Sequence, residues 1–213
     1  MANRIEGVTE KLLECASKEF LEKGFRDASL RTIASNADTT PRSIYTRYGD
    51  KEGLFGALVS PALTILKKQY QIEQEAYHQR PVEQQKELFS DNDFRTYYQN
   101  MEKTIIDHIY DHFDAFKLLV DCAEGTSYAN FMEDFINLDV EYTLKYIETT
   151  NNPVLRNGKA SLHLVEVLSH LLYEGFFEAV HKNLSREEAY VYIRQLQAFF
   201  QSGWKELLCE ESK

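Results

Sequence analysis

Four cationic side chains lie close together between residues 29 and 51, among many hydroxyl groups. The cations are Arg31, Arg42, Arg47 and Lys51. Guanidinium and ammonium groups donate hydrogen bonds to phosphate oxygens, and Arg can also bond the edge of a guanine through two parallel N–H groups. Ser, Thr and Tyr hydroxyls add further donors to phosphate. These residue types predict a surface that binds nucleic acid.

Two short helices joined by a polar turn must position these side chains. The first has a buried stripe at helical spacing, formed by Leu30, Ile33, Ala34 and Ala37. Ser29 can cap it, because a Ser hydroxyl accepts a free amide of the first turn. The turn falls at residues 36–39, where Asp38 tolerates a left-handed backbone. Thr40 then caps the second helix, and Pro41 takes its first position.

The flanking sequence completes a three-helix domain. A helix before the pair has apolar residues every four positions, at Val8, Leu12, Ala16 and Phe20. Gly24 ends that helix. In the second helix of the pair Ile44 and Tyr48 face inward, Gly49 ends it, and Asp50 caps a following helix. The order of elements is typical of a helix-turn-helix.

Residues 9–55 resemble the DNA-binding domain of TetR-family transcriptional regulators. The matching pieces are Phe20-Leu-Glu-Lys-Gly-Phe25, Ser29-Leu-Arg-Thr-Ile-Ala34, Thr40-Pro-Arg-Ser-Ile-Tyr45 and Tyr48-Gly-Asp-Lys-Glu-Gly-Leu54. Asp38 and Arg42 stand where the family usually has Gly, and Thr39 stands where it usually has an aliphatic residue. The resemblance implies a DNA-binding regulator, most often a repressor. The sequence has no phosphate loop, no Gly-x-Ser-x-Gly motif and no plausible Cys/His pair, so we expect no catalytic activity, and we expect no cofactor.

Position in the motif divides the candidate DNA-binding residues into two groups. We expect base contacts from Arg31, Thr40, Arg42 and Ser43. We expect phosphate contacts from Ser29, Thr39, Tyr45, Thr46, Arg47 and Lys51. Tyr45 and Lys51 match the family pattern best.

The rest of the chain also predicts helices, so the fold class is all-α. We place a DNA-binding domain at residues 1–55 and a ligand-binding and dimerisation domain at residues 56–213. Helices are expected over residues 51–79, 91–110, 113–123, 127–150, 158–182 and 186–209. Ser185-Arg-Glu-Glu188 is a capping box for the last of these.

Charge is divided unequally between the two predicted domains. The chain has 24 basic and 34 acidic residues, for a net charge of −10. Residues 1–55 hold nine of each, so the whole excess of acid lies in residues 56–213. An acidic body repels phosphate and helps to orient the basic face toward DNA.

The last two helices are apolar on several sides, which predicts burial on several sides. A symmetric dimer that contributes two helices from each chain would cover them. The predicted interface residues are Leu168, Leu172, Phe176, Leu196, Phe199, Phe200 and Trp204. A dimer places two recognition helices about 34–36 Å apart, so the operator should be an inverted repeat.

The middle helices are rich in aromatic residues and are expected to line an effector pocket. The candidates are Tyr70, Phe94, Tyr97, Tyr98, Tyr110, Phe113, Phe116, Phe131, Phe135 and Tyr142. Aromatic walls with nearby acids suit a flat or cationic organic molecule. Together with the repression that the resemblance implies, such a pocket predicts a repressor that a small-molecule effector releases from its operator.

Two other functions remain open at this point. The helix-turn-helix could serve a protein partner, as the neutral charge of residues 1–55 would allow. His108 and His112 share a helical face and could hold a metal in an enzyme, although a solvated helix end is the simpler interpretation and no metal is expected. Three distant cysteines indicate a reducing compartment. Together with the lack of a membrane span or export signal, this predicts a cytoplasmic protein.

Overall fold

The computed structural model describes the backbone of residues 2–86 and 103–209, with side chains from Thr9 onward in these ranges. Within them, every regular element is an α-helix. The helices are α1 (Ala2–Asp27), α2 (Leu30–Asn36), α3 (Pro41–Tyr48), α4 (Lys51–His78), α5 (Val82–Lys86), α6 (103–111), α7 (Phe113–Cys122), α8 (Phe131–Thr149), α9 (Leu162–His181) and α10 (Arg186–Leu208). The predicted all-α class is confirmed. None of the described helices is long and apolar enough to span a membrane.

The chain divides into two compact units. One contains residues 1–65 and 111–131, and the other contains residues 66–110 and 132–213. The domain boundary after residue 55 stays a prediction. The first unit extends into α4 and also includes α7 and the turns that follow it.

The core of the first unit is built from α1, α2, α3 and the start of α4. Its fully buried side chains include Leu12, Phe20, Ile33, Ile44 and Phe55. The rings of Phe20 and Phe55 meet edge to face with centroids 5.2 Å apart. Each of these residues lies on the apolar face that the helical spacing predicts. Gly24 has a φ of 72°, which breaks the helical backbone inside α1 where the sequence predicts an end.

Residues 123–130 form turns within the first unit, and α7 packs on α1. The Ser127 amide donates to Glu52 Oε1 at 2.8 Å. A Cβ at Gly56 would lie 2.7 Å from the Tyr128 hydroxyl, so α4 approaches Tyr128 closely. The predicted helix start at residue 127 is therefore wrong. The helix begins at Phe131, because the Ser127 amide is bonded to Glu52.

In the second unit α9 packs against α10. A Cβ at Gly175 would lie 3.0 Å from a methyl group of Leu196, so the two helices lie close together at this point. The capping box of Ser185 and Glu188 is present, as predicted. The helix predicted from residue 158 begins later, at Leu162, because Ser161 caps it by accepting the Leu164 amide at 3.1 Å.

Candidate nucleic-acid interface

The caps predicted for the two helices are present. The Ser29 hydroxyl accepts the Thr32 amide at 3.3 Å, and the Thr40 hydroxyl accepts the Ser43 amide at 3.2 Å. Asp38 has a φ of 51°, so it makes the left-handed bend between α2 and α3. Its carboxylate forms an ion pair with Lys11 of α1, and this bond lowers the pKa of Asp38. These bonds thus hold the turn between α2 and α3 in place.

The start of α3 presents its polar side chains outward. Thr40 and Arg42 are exposed, and 54% of Tyr45 is exposed. Arg31 on α2 is exposed too, whereas Thr39 and Ser43 are half-buried. A capping hydroxyl still has its own proton, so Ser29 and Thr40 can donate to a phosphate or base while they cap. The arrangement matches a recognition helix whose first turn meets DNA.

Two of the predicted phosphate contacts already bond within the domain. The Thr46 hydroxyl donates to the Arg42 carbonyl at 2.9 Å. Arg47 Nη1 donates to the Thr9 hydroxyl at 3.0 Å, which ties α3 to α1. A guanidinium has five N–H groups, so Arg47 can make this bond and still contact phosphate.

Lys51 lies at the start of α4 and bonds the end of α1. Its ammonium donates to the carbonyls of Arg26 and Ala28 at 2.9 and 3.1 Å. The same nitrogen lies 4.8 Å from the centre of the Phe25 ring. Two of its three protons are therefore engaged, and at most one remains for a phosphate. Its structural role was not visible in the sequence, because its partners are more than 20 positions away.

The junction between α3 and α4 is compact. Gly49 has a φ of 82° and ends α3, and its amide donates to the Tyr45 carbonyl at 3.0 Å. Asp50 caps α4 by accepting the Gly53 amide at 2.7 Å. A Cβ at Gly53 would overlap the Tyr48 carbonyl oxygen and would lie 3.0 Å from the carbonyl carbon. The angle between α3 and α4 thus depends on a glycine at position 53.

Residues 12–58 match the family model described as bacterial regulatory proteins, tetR family. The helix-turn-helix domain belongs to the TetR family. A search of curated proteins found no match to the chain.

Solved structures resemble the TetR-like fold of the whole chain. NalD, the secondary repressor of the MexAB-OprM multidrug efflux pump in Pseudomonas aeruginosa, is 18% identical with a TM-score of 0.56, over 93% of this chain and 97% of NalD. A TetR-like transcriptional regulator from Rhodococcus sp. RHA1 is 14% identical with a TM-score of 0.51, over 95% and 97% of the two chains. The TetR-family regulator PfmR from Thermus thermophilus is 15% identical with a TM-score of 0.51, over 87% and 96%. At these identities the likeness is one of fold.

The predicted pocket residues fall into separate places. Tyr70, Phe135 and Tyr142 belong to one aromatic cluster in the second unit, with ring centroids 6.1 and 6.4 Å from Tyr70. Tyr110 is in the same unit, and its hydroxyl donates to the Leu184 carbonyl at 3.0 Å. Three candidates belong to the first unit: Phe113, Phe116 and Phe131. Three others lie outside the described residues: Phe94, Tyr97 and Tyr98.

The predicted dimer residues differ in exposure. Phe199 is 75% exposed, whereas the other six are half-buried: Leu168, Leu172, Phe176, Leu196, Phe200 and Trp204. Trp204 packs against a cluster that contains Tyr77 and Tyr146, and Phe176 packs beside Ile193. Four α9 side chains missing from the prediction are exposed: Leu162, Leu164, Val167 and Leu171. Their apolar positions in the sequence could have identified them.

No three His, Cys, Asp or Glu side chains come together in a metal-binding arrangement within the described ranges. His163 and His170, which share a face of α9, lie near acids of the same chain. His163 is 3.6 Å from Glu166, and His170 is 3.4 Å from Glu174.

Proposed function

We propose that the chain is a ligand-responsive transcriptional regulator that represses its target genes. One observation carries this proposal. Helix α3 begins with a capped, exposed turn that presents Arg42 and Tyr45 outward on a TetR-family domain. Exposed cations and hydroxyls at the start of a recognition helix are the groups that contact base edges and phosphates. The similarity in fold to NalD, which is a repressor, supports repression.

The proposed regulator binds DNA as a homodimer. Apolar side chains on α9 and α10 remain exposed in the single chain, among them Leu171 at 51% and Phe199 at 75%. Large exposed apolar surfaces are costly in water and mark an interface. Burial against the same helices of a second copy relates the two α3 helices by a twofold axis. The operator is then an inverted repeat with half-sites about one helical turn apart.

For regulation, the dimer has two conformations that differ in the distance between its two α3 helices. A small molecule that binds the C-terminal domain more tightly in one state shifts the population toward that state. If the two α3 helices of that state do not match the distance between adjacent major grooves, the dimer releases the operator. Expression of the target genes then rises.

The second candidate function is a dimer whose helix-turn-helix serves a protein partner. The balance of nine basic and nine acidic residues in residues 1–55 favours it, since a neutral domain gains little from general attraction to DNA.

Fluorescence anisotropy with a labelled pool of random duplexes separates the two functions. A DNA-binding protein retains weak non-specific affinity that falls steeply as salt rises, because each phosphate contact releases counterions. We expect a slope of log affinity against log salt of about −0.9 for each phosphate contacted. Absence of binding at low salt, in protein freed of bound small molecules by unfolding and refolding, would favour the protein-partner function.

A further inference from the structure

Asp139 is a half-buried residue of α8 in the second compact unit, and its carboxyl group bonds residues of α4 and α9. The Tyr70 hydroxyl donates to its Oδ1 at 3.0 Å, and the Ser169 hydroxyl donates to its Oδ2 at 2.6 Å. Tyr70 and Ser169 are buried, with 4% and 1% of their surfaces exposed. Burial raises the pKa of Asp139, and the two hydrogen bonds offset only part of that rise. The carboxyl group therefore lies where a negative charge is poorly stabilised.

No cationic side chain in residues 9–86 and 103–209 pairs with this carboxyl group. Lys67, one turn before Tyr70 on α4, instead pairs with Asp134 at 2.8 Å. Burial, and then the nearby charge of Lys145, lower the pKa of His78 and so disfavour its charged form. Buried carboxylates usually have a cationic partner or several hydrogen bonds. Asp139 has two neutral hydroxyls, and a further partner would be favourable.

Three aromatic rings cluster around Tyr70, whose hydroxyl bonds the carboxyl group. The Tyr70 ring lies 6.1, 6.4 and 6.3 Å from those of Phe135, Tyr142 and Tyr173. On α8, Phe135 precedes Asp139 by four residues and Tyr142 follows it by three, so all three share one face. The faces of aromatic rings attract cations, most strongly where water is excluded.

His78 adds a second polar group to this cluster. Its ring stacks on Tyr142 with centroids 5.3 Å apart. Its Nδ1 is buried and has no hydrogen-bond partner within the described part of the chain. A buried polar atom without a partner costs free energy, and a ligand that hydrogen-bonds to it recovers that cost. The cluster thus combines a carboxyl group, aromatic faces and an unsatisfied nitrogen.

We propose that Asp139 binds the positively charged nitrogen of an organic ligand whose apolar part packs on Phe135, Tyr142 and Tyr173. The proposal names the chemical class of the effector, and to that extent it rests on the proposed regulatory function. A protonated amine donates charge-assisted hydrogen bonds to the carboxylate and gains the attraction of the rings. A matched alcohol gains only the apolar contact, and a matched acid is repelled by the carboxylate.

The test compares ligands that differ only in their polar group. We would measure the affinities of phenylalkylamines with one to six methylene groups, and of 2-naphthylmethylamine, by isothermal titration calorimetry. Each amine is paired with its matched primary alcohol and carboxylic acid. We expect the best amines to bind about ten- to a hundredfold more tightly than their alcohols, as a charge-assisted hydrogen bond provides. Equal affinity of amines and alcohols throughout the series would overturn the proposal.

Two variants locate the charge. Asp139→Asn preserves the size of the side chain and should bring amines down to the affinity of their alcohols. Asp134→Asn, the matched control, removes one acid from an exposed position of the same helix. It should retain the amine preference. A preference that survives in Asp139→Asn, or that disappears in Asp134→Asn, contradicts the assignment.

A measurement on the unaltered protein covers the case in which Asp139→Asn does not fold. Tyrosine rings labelled with ¹³C report on nearby ligands by NMR, and single Tyr→Phe variants assign their signals. The best amine should shift the signals of Tyr70, Tyr142 and Tyr173 and leave that of Tyr45 unchanged. Unchanged signals for the first three refute the site. Neither experiment requires DNA, so a failure of DNA binding would be recognised separately.

Discussion

Gly53 provides a sharp test of how α3 is held, because an added methyl group there has nowhere to go. The Cβ of Gly53→Ala would overlap the Tyr48 carbonyl oxygen and lie 3.0 Å from the carbonyl carbon. Both are backbone atoms, so no side-chain rotation relieves the contact. Overpacking of this kind costs about 1–3 kcal/mol or more. The better helix propensity of Ala returns about 1 kcal/mol. Because two backbone atoms are in the way, the cost lies in the upper part of its range, at about 2–3 kcal/mol, and the net loss is about 1–2 kcal/mol.

Thr64→Ala is the control. Thr64 is an exposed residue in the interior of α4, so its replacement by Ala gains helix propensity without a new contact. It should stabilise the protein by about 0.5 kcal/mol. Thermal unfolding can be followed by circular dichroism. In a chain of this size each kcal/mol changes the Tm by about 2–4 °C, so the Tm of Gly53→Ala should lie about 2–8 °C below that of the unaltered protein. Equal melting temperatures for the two variants would refute the tight junction.

The junction also has a functional consequence. Relief of the overlap requires the end of α3 to move, and α3 carries the candidate DNA contacts at its other end. Gly53→Ala should therefore lose operator affinity even at temperatures where it is fully folded. Thr64→Ala should bind like the unaltered protein. Anisotropy with an operator duplex measures both, and unaltered affinity in folded Gly53→Ala would show that α3 keeps its position.

Three further changes test the DNA-binding face and the dimer. Arg42→Ala should cost about 1–3 kcal/mol at the operator if Arg42 contacts a base, as anisotropy would show; an equal loss on random duplexes would indicate a phosphate contact instead. Lys51→Ala should weaken binding to all sequences and reduce the salt slope by about 1. It should also lower stability by about 1–3 kcal/mol in denaturant titrations, because two carbonyls lose a charged donor; a stability like that of the unaltered protein would contradict the bonds described for Lys51. Phe199→Ser should weaken the dimer more than about tenfold in sedimentation, whereas Ile72→Ser, which alters a side chain of α4 that is 53% exposed, should leave the dimer intact.

Local features of the helix-turn-helix could be predicted from the sequence, because each depends on neighbouring residues. Ser29 and Thr40 cap their helices, Asp38 takes a left-handed backbone, and Gly49 ends α3. A cap requires one hydroxyl within three residues of an amide, and a left-handed turn requires one tolerant residue. Such requirements are visible in a short stretch of sequence.

Features that depend on distant partners could not be predicted in the same way. Lys51 was expected to bind phosphate, and the structure adds its bonds to the carbonyls of Arg26 and Ala28. The helix expected from residue 127 begins at Phe131, because Glu52 binds the Ser127 amide from 75 positions away. Nothing near these residues in the sequence indicates such partners.

The aromatic residues show the same limit in the second unit. Their number predicts either a core or a pocket, and helical periodicity does not distinguish the two. Phe135 and Tyr142 cluster with Tyr70, whose hydroxyl bonds Asp139, while Tyr110 bonds elsewhere. Asp139 was not singled out in the sequence, where it is one acid among 34. Its hydrogen bonds to the buried residues Tyr70 and Ser169 distinguish it.

Selection of preferred sequences from a pool of random duplex DNA, at near-physiological salt, tests the central claim most directly. A dimer that reads DNA through α3 should enrich an inverted repeat whose half-sites are centred about 10 base pairs apart or a multiple of that. The same selection with Arg42→Ala should recover the repeat with relaxed preference at one position in each half-site. If protein freed of bound small molecules enriches no sequence, or only one without twofold symmetry, the account of this chain as a dimeric DNA-binding regulator is contradicted.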